Sequence, residues 1–209
     1  MSFQELHFRI YVGIEIIPHI HEVSKFRVQY FKDYPYLYCG NIDYEKQYLQ
    51  SFSVEPEAIL VAAFDSENKL SAISTGLPLL CSSSILADGP EMFLKNGLDP
   101  KKIFYYGEII ISYKYRLKGV VRKVYAMQEK FAITKGFTSI ALSTVVRDDF
   151  DFRKPQGYKD TDGLWRALGF TRTNMHFEFE WPTYDVNGNV TDQSNQMVYW
   201  TKSTEESSV

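Results

Sequence analysis

The sequence predicts an α/β (α+β) fold: a mixed, mostly antiparallel central sheet with one parallel β-α-β crossover, flanked by helices. Two observations support this prediction. First, a strand, an amphipathic helix and a second strand follow one another over residues 102–146, and strands joined in this way pair in parallel. Second, strand-like segments joined by short turns lie on both sides of this unit, and such segments pair as antiparallel hairpins. The length of 209 residues fits one domain, which we expect to span residues 1–202.

The first half of the chain predicts a strand, two helices and a hairpin. Residues Ile14–Phe31 carry apolar side chains at steps of three and four, which indicates an amphipathic helix that Pro18 interrupts early. Two apolar segments flank the turn Ser66–Asn68 and predict a hairpin. The predicted elements of this half are a strand over His7–Val12, helices over Ile14–Phe31 and Tyr44–Ser51, strands over Ala58–Asp65 and Lys69–Thr75, and a loop with one helical turn over Leu79–Leu98.

The second half predicts the crossover and the strands that complete the sheet. Val120, Val124 and Met127 lie on one face of a helix that Gly136 ends as a C-cap. The predicted elements of this half are strands over Lys102–Ser112, Thr138–Val146, Phe170–Trp181 and Gln196–Thr201, helices over Val120–Lys135 and Thr161–Leu168, a tight connection at Tyr115–Gly119, and a polar loop over Asp148–Asp160. Residues 203–209 are polar, and we expect them to form a disordered tail.

Charge and composition exclude several classes of protein. The 23 Lys and Arg residues and 26 Asp and Glu residues give a net charge of −3, so the chain as a whole is not attracted to nucleic acid or anionic lipid. Its two cysteines form no CxxC pair and no disulfide framework, which is typical of a reducing compartment. Its apolar runs are far shorter than the roughly 20 residues that span a bilayer. We therefore expect a cytoplasmic protein with no membrane or nucleic-acid partner, and a homodimer is left open.

The sequence also lacks the motifs of several common enzyme classes. It contains no GxxxxGK[ST], no GxGxxG after a strand, no HExxH and no GxSxG, so nucleotide, hydride, zinc-protease and serine-hydrolase chemistry lack their usual residues. His19 and His21 are two residues apart on a predicted helix, which points their rings in different directions. No metal site is expected.

Four cations lie within eight residues at the start of the predicted helix Val120–Lys135. A cation at a helix N-terminus is unfavourable by about 0.3–1 kcal/mol, because the free N–H groups there already carry partial positive charge. The cluster makes sense if those N–H groups hold an anion such as phosphate, and Gly119 would let the backbone approach it closely. The alternative is a basic turn whose side chains point into water. The four cations are Arg116, Lys118, Arg122 and Lys123.

Two segments around this helix resemble motifs of the GNAT N-acetyltransferases. The strand followed by Arg116-x-x-Gly119-x-Val121 and an amphipathic helix is similar to their acetyl-CoA motif, Arg or Gln-x-x-Gly-x-Gly or Ala. The segment from Trp165 to Gly169-Phe170 is similar to their Tyr-x-x-x-Gly-Phe. The order of the elements agrees over most of the chain. Segments 33–38, 106–108 and 197–200 further resemble one bacterial subgroup of the family.

The resemblance implies an N-acetyltransferase domain that moves an acetyl group from acetyl-CoA, its co-substrate, to a primary amine by direct attack. The amine acceptor would be a small molecule or a peptide. Backbone amides would hold the CoA pyrophosphate, and those of Ile110 and Ile111 would bind the pantetheine arm and polarise the thioester carbonyl. The residues implied around the pyrophosphate are Arg116, Leu117, Lys118, Gly119, Val120, Val121 and Arg122.

Two residues are candidates for proton transfer. Glu108 is the sole carboxylate in the apolar run Tyr105–Ile111, and it would take a proton from the amine; alternatively, it is a structural carboxylate paired with an Arg or Tyr. In this family, the proton donor is often a Tyr at the position that Trp165 occupies here. Tryptophan cannot protonate a thiolate. Tyr158, in the loop upstream, could supply the proton, or it is a loop tyrosine packed on the surface.

The first two helices and their connection wall the acceptor site in this family. Tyr36, Tyr38 and Glu45 are the predicted acceptor-binding residues, because aromatic rings beside a carboxylate suit an ammonium group. Alternatively, these aromatic residues belong to the core between helix and sheet. Val121 stands where the motif has Gly or Ala, and its side chain would either narrow the turn or point into the core. A non-catalytic acyl-CoA-binding module or sensor on the same fold is the alternative function.

Overall fold

The computed structural model describes residues 6–84, 89–185 and 187–205. Within them, seven strands form one mixed sheet. The strands are β1 His7–Val12, β2 Ile59–Phe64, β3 Leu70–Pro78, β4 Ile103–Ile111, β5 Ser139–Val145, β6 Thr171–Tyr184 and β7 Val190–Ser203. Their order in the sheet is β1-β2-β3-β4-β5-β7-β6. The pair β4–β5 is parallel and the other pairs are antiparallel, so the predicted fold class is confirmed.

Helices cover both faces of the sheet. The helices are α1 Ile20–Phe31, α2 Ile42–Ser53, α3 Gly89–Lys95, α4 Val120–Thr134 and α5 Asp162–Ala167. Side chains from α1, α2 and α3 pack on one face of the sheet, which we call the α1–α2 face, and those from α4 and α5 pack on the other, the α4 face. Every residue of β2 is buried, as expected for a strand covered on both sides. No helix among these described residues is long and apolar enough to cross a membrane.

Several predicted elements differ from the structure in their bounds. Gly13–His19 forms a 3-10 helix that contains Pro18, and the α-helix starts only at Ile20, because proline has no N–H for the helical ladder. The predicted loop Leu79–Leu98 contains a 3-10 helix, Leu79–Ser84, as well as α3, and its residues 85–88 lie outside the described part of the chain.

The C-terminal hairpin is longer than predicted. Strand β7 begins at Val190 instead of Gln196, because its first residues pair only with β6 and are mostly exposed, so they show no apolar alternation. The strand ends at Ser203, and the N–H of Thr204 donates to the carbonyl of Thr138 at 2.9 Å. Order therefore extends into the segment predicted to be a tail, of which residues 206–209 lie outside the described part.

The parallel strands β4 and β5 separate halfway along their length. They pair only between Ile103–Tyr106 and Ser139–Leu142, although β4 continues to Ile111 and β5 to Val145. An extra residue in β4 at Gly107 forms a β-bulge against β3 and bends the strand at this point. A Cβ at Gly107 would lie 2.6 Å from the Thr75 hydroxyl, so the bulge needs glycine. The result is an opening in the middle of the sheet between the C-terminal halves of β4 and β5.

Candidate active site

The connection between β4 and α4 presents a row of free backbone N–H groups beside this opening. Those of residues 117–122 donate no hydrogen bond within the described part of the chain. Gly119, the N-cap of α4, has φ +76°, a left-handed conformation that glycine adopts without strain. A Cβ at Gly119 would meet no atom within 4 Å, so the space in front of the helix is open. This geometry suits the predicted binding of an anion by backbone N–H groups.

Arg116 holds this connection in place. Its Nε donates to the carbonyl of Ile111 at 3.1 Å, and its guanidinium lies 4.4 Å from the centre of the Tyr113 ring. Lys118 is exposed and lies over the Tyr115 ring. The Val121 side chain packs against the core of the α4 face, so it does not narrow the turn.

Ile110 and Ile111 lie on the part of β4 that borders the opening. Both side chains are buried, and they pack on opposite faces of the sheet. On its other side, this part of β4 is paired with Ile73 and Ala72 of β3. The N–H of Ser112 donates to the carbonyl of Ser71, and N–H groups alternate in direction along a strand, so the N–H of Ile110 faces β3 and that of Ile111 faces the opening. Of the two amides predicted to bind the pantetheine arm, only that of Ile111 is directed at the opening.

A buried cluster of three charged residues joins α1, α2 and β4 on the α1–α2 face. Arg27 contacts Glu45 through Nε and Glu108 through Nη1. Burial alone would lower the pKa of Arg27, but Glu108 and Glu45 outweigh it and raise the pKa well above its usual value. The guanidinium also lies 5.0 Å from the ring centre of Phe31 and 4.7 Å from that of Tyr48. We call these residues, Arg27, Glu45 and Glu108, the charge triad.

Glu45 is inside the charge triad and is not accessible. Its side chain is 1% exposed. Arg27 contacts one carboxylate oxygen, and the Tyr38 hydroxyl donates to the other at 2.7 Å. Burial and this hydrogen bond both raise the pKa of Tyr38. The structure thus brings Tyr38 and Glu45 together, but joins them to Arg27 instead of leaving them open to an acceptor.

Glu108 is the member of the triad that lies on the bulge at the opening. Its side chain is 7% exposed, and only one of its carboxylate oxygens contacts Arg27. The backbone carbonyl of Glu108 accepts a hydrogen bond from the Ser74 hydroxyl, which fixes the bulge against β3. Glu108 is therefore paired with an arginine, as the structural alternative expected, and it also borders the opening, as the catalytic prediction required.

Tyr36 and Tyr158 lie on the same side as Glu108. Burial raises the pKa of Tyr36 to about 12, with further contributions from Tyr158 and Glu108. Tyr158 is half-buried, with its ring edge-on to Tyr34 at 4.7 Å between centres. Burial, followed by Tyr34, raises the pKa of Tyr158 to about 12. The predicted acid is thus near the predicted acceptor wall instead of isolated on the surface.

Trp165 lies away from this group, on the α4 face. It is 5% exposed and packs edge-on against Tyr125, with 5.3 Å between ring centres. Its indole N–H has no hydrogen-bond partner within the described residues. Trp165 is a core residue, and the structure does not bring it to Glu108.

Arg27 and Arg147 were not among the predicted site residues. Arg27 lies four residues after Val23 and four before Phe31, so a charge on the apolar face of the helix was the available signal. Arg147 follows β5, and its Nε and Nη2 donate to the carbonyls of Pro35 and Tyr36 at 2.7 and 3.2 Å. No group of three or more His, Cys, Asp or Glu residues that could hold a metal ion is found in the described ranges.

Comparison with solved structures identifies the fold. A candidate acetyltransferase from Acinetobacter baylyi ADP1 is 11% identical, with a TM-score of 0.62 over 99% of this chain and 97% of the other. A GNAT-family acetyltransferase from Streptococcus pneumoniae is 16% identical, with a TM-score of 0.54 over 95% and 99%. A candidate acetyltransferase from Salmonella typhimurium, solved with acetyl-CoA as its cofactor, is 11% identical, with a TM-score of 0.53 over 98% and 96%.

These likenesses confirm that the chain has the fold of the GNAT N-acetyltransferases. At these identities, the fold is what the proteins share. No protein-family model matches the sequence, and no curated protein is similar enough in sequence to match it.

Proposed function

We propose that this chain, which has the GNAT fold, moves an acetyl group from acetyl-CoA to a primary amine by direct attack. One observation carries the proposal: the opening between β4 and β5 has a buried carboxylate, Glu108, on one face of the sheet and the free N–H groups before α4 beside the other. Two substrates can meet at such an opening from opposite sides.

The connection before α4 would hold the CoA pyrophosphate. Free N–H groups, open space at Gly119 and surrounding cations all favour an anion there. The amide of Ile111 would bind the pantetheine arm at the edge of β4, next to Ile110, whose own N–H faces β3. This position would bring the thioester carbonyl to the opening, where backbone N–H groups polarise it. The residues proposed for the pyrophosphate are Arg116, Leu117, Lys118, Gly119, Val120, Val121 and Arg122.

The amine would approach from the α1–α2 face, with Tyr36 in the wall of its site. Its nitrogen attacks the thioester carbon, so an N–C bond forms and the C–S bond breaks. Glu108 takes a proton from the nitrogen, directly or through water. Arg27 balances the charge of Glu108 in its buried position, and Tyr38 and Glu45 hold Arg27 there.

The thiolate leaves with a proton from Tyr158 or from solvent. A pKa of about 12 keeps the phenol of Tyr158 protonated at neutral pH, so it can act as a donor. A thiolate is also a fair leaving group by itself, because thiols have a pKa near 8.5. Catalysis would rest mainly on positioning, without a covalent enzyme intermediate.

A non-catalytic acyl-CoA sensor is the second candidate, and two observations favour it. Glu108 is paired with Arg27, as a purely structural carboxylate would be. The residue at the family's usual acid position, Trp165, is buried in the core.

One experiment separates the two functions. The protein is incubated with acetyl-CoA and a panel of amino acids, polyamines, aminoglycosides and peptides, and the acetylated products are identified by mass spectrometry. Binding of acetyl-CoA is measured separately by its thermal shift. Acetylation of any amine supports the enzyme. Binding without acetylation of any amine supports the sensor, and the absence of binding contradicts both.

A further inference from the structure

Arg147 is a half-buried cation that makes no ion pair within the described part of the chain; the charge of Asp151 acts on it from a distance, but that carboxylate is paired with Arg153. The next two cations in the same loop are both paired, Arg153 with Asp151 and Lys154 with Asp149. Arg147 instead donates to two backbone carbonyls and lies 6.0 Å from the centre of the Trp181 ring. Carbonyl groups satisfy N–H donors but do not balance a full charge, and a buried charge is costly without a counter-ion.

The guanidinium of Arg147 keeps one edge available. A guanidinium has five N–H donors in a plane, and two of its edges can each bind an oxyanion with two parallel hydrogen bonds. The edge formed by Nε and Nη2 is taken by Pro35 and Tyr36. The edge formed by Nη1 and the second N–H of Nη2 makes no hydrogen bond within the described residues. Because the two carbonyls fix the plane of the group, this second edge is already oriented.

The position of Arg147 connects it to the proposed acceptor site. It follows β5, the strand that forms one side of the opening, and it contacts the connection between α1 and α2 that carries Tyr36. The hydroxyl of Tyr36 feels the charges of both Glu108 and Arg147, which raise and lower its pKa respectively. Tyr36 is therefore in direct contact with Arg147 through its backbone and close enough to the proposed base for the charge of Glu108 to act on its hydroxyl.

We propose that Arg147 binds an oxyanion carried by the amine acceptor. The acceptor is then a small amine that also bears a negatively charged group, of the amino-acid kind, and not a polyamine or an aminoglycoside. This inference rests on the proposed function. The amine faces Glu108, the oxyanion faces the free edge of Arg147, and Tyr36 packs beside the atoms that join them.

The test uses three matched acceptors for each of the common amino acids: the free acid, its amide, and the amine that lacks the carboxyl group. The wild-type protein should prefer the acid by roughly 10- to 100-fold in kcat/KM, as expected for hydrogen bonds to a charged group. The amine of an amino-acid amide is less basic than that of the free acid, so more of it is neutral and reactive at neutral pH. A preference for the acid therefore cannot come from the basicity of the amine. Arg147→Gln should lower kcat/KM for the acid to the level of its amide.

Lys154→Gln is the matched control, since Lys154 lies in the same loop, is paired with Asp149 and is not among the main charges that act on Arg147; it should keep the preference. If Arg147→Gln fails to fold, Arg147→Lys is measured instead, because a lysine keeps the charge but not the two parallel hydrogen bonds. A smaller preference for the acid in this variant supports the inference, and an unchanged preference overturns it. Equal use of acids and amides by the wild type, or a preference that survives Arg147→Gln, also overturns it, while the proposed function stands.

Calorimetry with CoA present separates the inference from the proposed function. If no amine is acetylated but amino acids still bind, and Arg147→Gln abolishes that binding, the oxyanion site is supported and the enzyme is not. If amino acids neither react nor bind in an Arg147-dependent way, the inference is overturned.

Discussion

Glu108 belongs to a buried ion pair and also borders the opening between β4 and β5. A carboxylate in an apolar strand needs a partner, and Arg27 supplies it. The pairing uses only one of the two carboxylate oxygens, which leaves the other to accept a proton. At the scale of single residues, the proposed function therefore depends on proton transfer by Glu108 and Tyr158.

Replacing Glu108 by Gln should lower kcat/KM by about 10²- to 10⁴-fold, because a positioned base is lost. Affinity for acetyl-CoA should change little. The loss should shrink at high pH, where the amine is already neutral, and pH profiles of kcat/KM measure this. Glu22→Gln, an exposed change on α1, is the control. A loss of the same size at every pH, with a lower melting temperature, would mean that Glu108 is only structural.

Replacing Tyr158 by Phe should lower kcat by about 10²- to 10⁴-fold if its phenol protonates the thiolate, while acetyl-CoA binding stays intact. Tyr44→Phe, on the exposed face of α2, should have no effect. Trp165→Tyr should also bring no gain, since its ring lies in the core of the α4 face. If Tyr158→Phe leaves kcat unchanged and Trp165→Tyr raises it, the position of the acid is that of Trp165.

At the scale of elements, the charge triad ties α1, α2 and β4 together, and a single substitution tests it. Arg27→Met leaves Glu45 and Glu108 buried without a counter-ion, which should lower the free energy of unfolding by about 3–5 kcal/mol. Urea denaturation measures the change. Lys46→Met removes a cation from an exposed ion pair with Asp43 on α2, and its effect on the free energy of unfolding should be several-fold smaller. Equal effects of the two changes would contradict a structural role for the triad.

The connection before α4 can be tested with two matched glycines. Acetyl-CoA should stabilise the wild type by about 2.7 kcal/mol at a hundred times its Kd. Gly119→Glu should abolish this stabilisation, because it puts an anion where the pyrophosphate is proposed to bind. Gly97 has the same φ of +76° and equally open surroundings, but it follows α3. Gly97→Glu therefore carries the same backbone strain and should keep the thermal shift. A full thermal shift in Gly119→Glu would mean that the pyrophosphate binds elsewhere.

The sequence predicted elements well where apolar side chains repeat at a regular spacing. Helix α4 and strand β4 begin and end within one residue of the prediction, because both bury a regular apolar face. Strand β7 was predicted to begin six residues too late, because its exposed first half has no apolar pattern. The bulge at Gly107 was also missed, since only the pairing with Thr75 on β3 shows why glycine is needed.

The site was harder to predict than the fold, for a physical reason. A local motif gave the connection before α4, because its free N–H groups belong to one short segment. The charge triad needs three elements that lie up to 81 positions apart, from Arg27 to Glu108, and one sequence cannot tell which charges meet. Glu45 was accordingly predicted to face the acceptor, whereas it is buried against Arg27 and Tyr38.

Across the whole molecule, hydrogen exchange with and without acetyl-CoA shows where the cofactor binds, because it reports on every amide at once. The amides of residues 117–122 have no partner in the described structure and should exchange quickly in the free protein. Saturating acetyl-CoA should slow them strongly, together with that of Ile111. Protection confined to another region, such as the pocket of about 200 Å³ between Tyr48 and Cys81, with none at 117–122, would contradict the account.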